Sequence, residues 1–167
     1  VYYLTVDQWD GFRTERKEVL EALSGVENLV VLTGDIHAFY AGELHVDFDA
    51  PAAKPIGVEY VSAGISSSPF QEIVSVQVLN LDPDGLYGLK ELALDKAKFD
   101  AALQTASPHY KHVESFAHGI AIVDVNTDKD IQVTFLGGAD VKTKDFAGTV
   151  TRSRLKTAAG TNTIEKR

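Results

Sequence analysis

The fold is decided by the stretch LVVLTGDIH at residues 29–37. Its first four residues form a short, continuous apolar run, which is typical of a strand buried on both faces in a parallel or mixed sheet. The run leads through Thr33 and Gly34 into an Asp-x-His pair. Because α/β folds place their sites where the chain leaves the carboxyl end of such a strand, we expect a functional site here.

The pair Asp35 and His37 has the chemistry of a metal site. In extended backbone, residues two apart project to the same side, so the carboxylate and the imidazole can converge on one metal ion or on neighbouring ions. These donors suit zinc, iron, manganese or calcium rather than copper(I). The alternative interpretation is structural, with an aspartate that caps the next turn beside a partly buried histidine. The pair alone leaves both interpretations open.

The remaining chain alternates between strand and helix signals. The predicted helices cover residues 10–24 and 91–105, and the predicted strands cover 39–48, 56–62, 119–125 and 131–136. Asp10 is the expected cap of the first helix, and Gly25 is its expected end. Residues 73–81 are apolar and β-branched, which favours a strand without excluding a helix. The pattern predicts a mixed α/β layer structure.

Composition bounds the class of protein. The chain has 167 residues, of which 44% are hydrophobic, so one domain with an ordinary core is expected. Cysteine is absent, which excludes a disulfide framework and a thiol nucleophile. No apolar run reaches the roughly 18 residues of a membrane span. Methionine is absent even at position 1, so we expect a processed chain or a piece of a longer one.

Charge is distributed unevenly along the chain. The net charge of −8 disfavours a nucleic-acid groove, which needs a basic surface. Residues 141–167 carry seven basic and two acidic side chains, a net charge of +5, so the other 140 residues carry −13. We expect a basic C-terminal strand or tail at 141–167 that is solvated or frayed. An anion-attracting rim is the alternative.

Several other polar segments are interpreted as structural. Residues 64–69 resemble a nucleophile elbow but lack its second glycine, which favours a polar turn. Residues 126–130 have the oxygen spacing of a calcium loop without its required Gly and Glu, which favours a hairpin turn. His109 and His112 are expected in a surface loop.

Two single residues have an open interpretation at this point. His118 precedes a predicted strand, so it is either a packed or hydrogen-bonded structural residue or part of a site. Trp9, the only tryptophan, is either a core residue or the wall of a pocket.

Two motifs in order resemble the PhoD-like alkaline phosphatases. The segment DQWDGF at 7–12, followed by Arg16, is similar to the D-x-W-D-G-[YF]…R element of that family, and TGDIH at 33–37 is similar to its T-G-D-I-H motif. The later segments are similar with departures: Ser107 stands where the family has Asn, and Ile120 stands where it has Tyr. The resemblance covers roughly residues 5–140.

The resemblance implies a fold and a chemistry. The family is a branch of the metallophosphoesterases, so it implies an α/β fold with a metallophosphoesterase-like two-sheet β-sandwich flanked by helices. Residues 1–140 would form the C-terminal part of that domain, before the basic strand or tail at 141–167. The implied activity is metal-dependent hydrolysis of phosphate monoesters and diesters. The metal ions would be divalent or trivalent, drawn from Ca, Fe, Mn, Zn or Mg.

The resemblance also implies roles for individual residues. Asp35 and His37 would be catalytic metal ligands, and the residues near the bound substrate would be Asp7, Trp9, Asp10 and His118. The earlier ligand motifs of the family do not occur in these 167 residues. The expected partner is therefore an upstream part of the same enzyme, without which this chain would be inactive. Family members are commonly exported, which implies a periplasmic or extracellular location.

Two other functions stay open at this point. The chain would be either a non-enzymatic β-rich binding or capping module, or a degenerate, inactive metallophosphoesterase. Ligand motifs upstream of these residues would separate the enzyme from both alternatives.

Overall fold

The structure, a computed structural model, describes residues 8–50, 53–138, 141 and 148–167. Within these residues, two four-stranded sheets pack against each other, and helices pack on the other face of the first sheet. This architecture confirms the predicted α/β fold with a two-sheet β-sandwich flanked by helices. None of the helices in these ranges is long and apolar enough to cross a membrane.

The first sheet is mixed and carries the LVVLTGDIH stretch at its edge. Its strands are β1 (Val30–Thr33), β2 (Phe39–Leu44), β3 (Gly57–Val61) and β4 (Tyr110–Glu114). They lie in the order β1-β3-β2-β4, in which β1 is parallel to β3 and the other pairs are antiparallel. The predicted strand at 56–62 is confirmed. The strand predicted at 39–48 ends at Leu44.

The second sheet is an antiparallel meander. Its strands are β5 (Gly119–Val125), β6 (Ile131–Gly138), β7 (Thr149–Thr157) and β8 (Glu165–Lys166), in that order. The predicted hairpin of β5 and β6 is confirmed, and its turn is closed by a 3.1 Å hydrogen bond from Asn126 N to Asp130 O. Within the basic segment, β7 pairs with β6 along its whole length, whereas residues 142–147 lie outside the described ranges.

The main core lies between the two sheets. Alternate residues of β2, Phe39 and Ala41, face the second sheet, where Phe39 stacks on Phe135 with ring centroids 4.7 Å apart. Val58 and Tyr60 of β3 join the same cluster. The Tyr60 hydroxyl lies 2.7 Å from Thr157 Oγ1, so the polar end of this buried ring is satisfied across the sandwich.

A second cluster joins the first sheet to its helices. The helices are α1 (Arg13–Leu23), α2 (Phe70–Leu81), α3 (Leu89–Leu94) and α4 (Lys96–Ala106). Tyr40 of β2 and Val61 of β3 face away from the second sheet and pack against Phe70 of α2 and Leu103 of α4. β2 is therefore covered on both faces, and all six of its residues are buried.

Residues 73–81 are helical, contrary to the strand that their β-branched composition favours. The helix α2 begins after Pro69 and buries Gln71, Val74 and Ser75, which share one face at helical spacing. Gln71 and Ser75 both donate side-chain hydrogen bonds to the Ala93 carbonyl of α3. These tertiary contacts favour a helix here, because the β propensity of a sequence is weak and depends on its surroundings.

The two predicted helices are present with different bounds. The segment at 91–105 is divided by Asp95, whose carboxylate accepts hydrogen bonds from Ala97 N and Lys98 N at 3.0 Å and caps α4. The cap predicted for the first helix is wrong, since its N-cap is Phe12, without a side-chain bond. Asp10 instead pairs with Arg16 at 3.3 Å.

The burial of two segments differs from what their patterns indicate. Within the described residues β1 lies at a sheet edge and its Leu32 is 58% exposed, so the predicted burial on both faces would need polypeptide outside these residues. The loop expected around His109 and His112 includes β4, in which His112 is buried beneath the second sheet with its ring 5.3 Å from that of Phe135. Edge position and sheet pairing are set by partners that are distant in sequence, so periodicity alone does not reveal them.

The buried His112 makes stability depend on pH. Burial, together with the nearby cations Lys166 and Arg152, lowers the pKa of His112 to about 4. Between this value and the ordinary pKa of about 6.5, the unfolded chain binds more protons than the folded one, so stability falls as the pH drops through this window.

We therefore expect His112→Leu to reduce the loss of unfolding free energy between pH 7 and pH 4.5 by about 2 kcal/mol. Urea denaturation of both proteins at the two pH values measures it. An equal pH dependence in the variant and the wild type would contradict this assignment.

The start of β5 tolerates no side chain at Gly119. A Cβ there would lie 1.9 Å from the Leu136 carbonyl oxygen, which is backbone that cannot turn away. We expect Gly119→Ala to lower the free energy of unfolding by at least about 2 kcal/mol. Gly25→Ala is the matched control, because a Cβ at Gly25 meets nothing within 4 Å. Similar urea midpoints for the two variants would refute the close approach.

Candidate functional site

The candidate site lies where β1 and β3 end side by side. The two strands are parallel, and a 3.0 Å hydrogen bond from Ser62 N to Thr33 O joins the chain just beyond them. The segments that leave this end of the sheet carry the Asp-x-His pair and the serine-rich turn at 64–69. Their proximity follows from the parallel pairing, which brings carboxyl ends to one edge.

The Asp-x-His segment turns sharply instead of continuing the strand. Asp35 and His37 have φ values of 70° and 60°, and Ile36 N donates to Gly34 O at 2.8 Å. The prediction that extended backbone directs both side chains to one side is therefore wrong. Non-glycine residues in this left-handed region are uncommon and cluster at functional sites. The Asp35 side chain is exposed, and that of His37 is half-buried.

The ring of His37 is oriented by the serine-rich turn. His37 Nδ1 lies 2.9 Å from the Ser68 carbonyl oxygen. A carbonyl only accepts, so Nδ1 carries the proton and donates, which leaves Nε2 of the neutral ring with a free lone pair. Metal-binding histidines are held in this way, with one ring nitrogen on a carbonyl or carboxylate and the other on the metal.

His118 lies at the same end of the molecule. Gly119 N donates to Gly64 O at 3.1 Å, which fixes the chain beside the serine-rich turn. His118 and Ser68 line one open cleft of about 240 Å³. Its other lining residues are Ile65, Ser66, Glu72 and Val141. The structure thus brings His118 next to the turn that holds His37, whereas its contact with a substrate stays a prediction.

The aromatic–acidic motif near the start of the chain is placed differently. Asp7 lies outside the described residues, and Trp9 is half exposed. Asp10 is ion-paired with Arg16, whose guanidinium lies 4.9 Å from the centre of the Phe48 ring. Among the hydrogen bonds and ion pairs of the described residues, none joins Trp9 or Asp10 to the Asp-x-His segment.

A half-buried carboxyl next to the candidate site escaped the sequence analysis. Thr33 Oγ1 donates to Glu59 Oε1 at 3.1 Å, one residue before the chain turns at Gly34. Burial raises the pKa of Glu59, and the bond from Thr33 opposes that rise. The sequence feature that could have revealed Glu59 is a single acidic residue within the otherwise apolar strand GVEYV at Gly57–Val61. Ser68 gave no signal, because its carbonyl rather than its side chain contacts His37.

The described residues do not form a complete metal centre. No group of three or more His, Asp and Glu side chains in the described part of the chain is arranged to hold an ion. Catalytic metal ions normally have at least three protein ligands. Asp35 and His37 have suitable donor atoms, and a full coordination shell requires further ligands.

Comparisons of the sequence and of the fold both find similarity to PhoD-like phosphatases. The family model described as PhoD-like phosphatase matches residues 2–135. Alkaline phosphatase D of Bacillus subtilis (strain 168) is 42% identical over 65 residues, which cover 38% of this chain. A solved structure of PhoD matches with a TM-score of 0.69 at 23% identity and covers 96% of this chain.

The relatives are much longer than this chain. The match spans 11% of the Bacillus protein and 26% of the chain in the PhoD structure. The structural match establishes the fold, and the family model spans well over half of the sequence. These 167 residues belong to the PhoD-like phosphatase family.

Proposed function

We propose that this chain supplies the Asp35 and His37 ligands of a metal-dependent phosphoesterase that acts on phosphate monoesters and diesters. Phosphoester hydrolysis is the activity of the family to which the chain belongs. The single observation that carries the residue assignment is the 2.9 Å contact between His37 Nδ1 and Ser68 O, because it leaves Nε2 directed by the fold and free to bind a metal.

The donor set fits a hard or borderline metal ion. Asp35 offers an exposed carboxylate, and His37 offers a neutral imidazole nitrogen, which suit Ca, Fe, Mn, Zn or Mg better than a soft metal. When bound, such an ion would polarise a phosphoryl oxygen and make water a better nucleophile. This chain's own contribution is to hold the two donors in place before the metal arrives.

The cleft beside the site is the proposed place for the substrate. His118 lines it next to Ser66 and Ser68, so its imidazole and the serine hydroxyls are the groups that would donate to phosphoryl oxygens. Trp9, which is half exposed, is proposed as a wall for the organic part of the ester. Asp7 and Asp10 complete the proposed substrate-binding set, with Asp10 acting through Arg16.

The remaining metal ligands are proposed to come from an upstream part of the same enzyme. β1 is the edge strand on the site side of the first sheet, and its Leu32 is exposed there. An additional layer of polypeptide at this edge would cover the apolar side chain and bring further donors to the Asp-x-His turn. By its family resemblance, the complete enzyme is proposed to act in the periplasm or outside the cell.

We expect Asp35→Asn to reduce metal content and the hydrolysis of p-nitrophenyl phosphate by the complete enzyme roughly 10–100-fold or more. The substitution keeps the shape of the side chain and removes its charge. Asp124→Asn is the matched control, because Asp124 is exposed on β5, away from the Asp-x-His turn. Elemental analysis and steady-state kinetics measure the effect. A variant with wild-type metal content and activity would refute the ligand role of Asp35.

We expect residues 1–167 alone to bind metal weakly, to aggregate through their exposed apolar surface and to be inactive on the same substrate. The reason is that two ligands do not hold a catalytic ion. Light scattering, metal titration and the phosphatase assay check this, with the complete enzyme as the positive control. A folded, monomeric and active 167-residue protein would contradict the need for an upstream part.

A further inference from the structure

We propose that Ser115 is a positioning residue that holds His37 and the segment leading to His118 in one arrangement through the first turn of α2. This inference rests on the proposed function of the site. Ser115 is completely buried, and it lies between the end of β4 and His118. It contacts no proposed substrate or metal, so its action is indirect.

Ser115 connects three elements of the fold. Its hydroxyl oxygen lies 2.7 Å from the Tyr40 hydroxyl of β2. Its amide donates to Asp100 Oδ1 of α4 at 3.1 Å, and its carbonyl accepts from Gln71 N of α2 at 2.9 Å. With its hydroxyl, amide and carbonyl all engaged, the residue has a fixed position relative to the sheet and two helices.

The first turn of α2 extends this connection to His37. Phe70 N donates to the His37 carbonyl at 3.0 Å, and the next amide, Gln71 N, donates to Ser115. The first amides of a helix have no partner within it, so here they hold two separate segments together. Ser68, two residues before Phe70, accepts the bond from His37 Nδ1. A shift at the start of α2 would therefore move both the backbone and the ring of His37.

The chain around Ser115 is anchored on both sides. Glu114, the residue before Ser115, is held by Arg152 of the second sheet, with Arg152 Nε 2.7 Å from Glu114 Oε1. Gly119, after it, is held by Gly64 O. Ser115 lies between these anchors and is the residue that links the segment to α2. His118 is thereby kept beside the same turn that orients His37.

The fold provides a matched control. Tyr60 and Thr157 form a second buried pair of hydroxyls at 2.7 Å, and Thr157 ends β7 at the opposite end of the second sheet from Gly119. Ser115→Ala and Thr157→Ala each remove the hydroxyl that pairs with the hydroxyl of a buried tyrosine. Thr157→Ala is the larger loss, because it also removes a methyl group and the bond from Thr157 Oγ1 to the Thr163 carbonyl, and only Ser115→Ala lies in the connection to α2 and His37.

The test uses the complete enzyme that contains residues 1–167. We expect Ser115→Ala to weaken Zn²⁺ binding roughly 10–100-fold and to lower kcat by a similar factor, with KM changed by less than about twofold. In the metal-free protein, hydrogen exchange at the Phe70 and Gln71 amides should accelerate. Thr157→Ala should lower the unfolding temperature without changing Zn²⁺ affinity, kcat or exchange at these amides.

A second variant, Tyr40→Phe, tests the same proposal if Ser115→Ala does not fold. Like Ser115→Ala, Tyr40→Phe keeps both backbone bonds of Ser115 and removes the contact between the two hydroxyls, so an effect in the same direction is expected. Wild-type Zn²⁺ affinity, kcat and amide exchange in the folded variant, or equal changes in Thr157→Ala, would overturn the proposal. If Asp35→Asn leaves metal content and activity unchanged, the proposed function is wrong, whatever the result for Ser115. Amide exchange at Phe70 and Gln71 would still test whether Ser115 holds the start of α2.

Discussion

The whole structure depends on β2 being buried from both sides. Phe39 and Ala41 pack into the second sheet, whereas Tyr40 packs against the helices, so one strand holds three layers together. The strand packs closely at Gly42, where a Cβ would lie 3.0 Å from the Tyr110 ring. Because β2 pairs with β3, and β3 in turn pairs with β1, the position of the Asp-x-His turn is fixed by this central strand.

The site is assembled from segments that leave one end of the sandwich. The Asp-x-His turn follows β1, the serine-rich turn follows β3, and His118 leads into β5. Each segment is short and is held by backbone hydrogen bonds, such as that from Gly119 N to Gly64 O. Backbone contacts of this kind place side chains without depending on their identity. The turn between 64 and 69 therefore positions His37 and Gly119 through its carbonyls, and its serine hydroxyls stay available for the proposed contacts with phosphate.

Local signals predicted the elements whose structure is local. The hairpin of β5 and β6 was predicted from its turn and is confirmed, whereas the site at the end of the apolar strand stays a prediction. The helix α2 was not predicted, because contacts with Ala93 outweigh its β-branched composition. The Tyr40–Ser115 pair spans 75 residues of sequence, and nothing in either neighbourhood indicates it. Metal binding itself is predicted by residue type and family motif.

The strained turn at Asp35 and His37 explains why distant contacts matter to the proposed chemistry. Positive φ values at non-glycine residues cost on the order of 1–3 kcal/mol each, although Asp and His tolerate this region better than most residue types. The bonds from Phe70 N to the His37 carbonyl and from His37 Nδ1 to Ser68 stabilise the turn from outside. The ring orientation is thus a property of the folded chain, so the proposed binding of a metal at Nε2 would require little reorganisation of His37. A site built in this way is sensitive to the residues that hold its backbone as well as to the residues that donate to the ion.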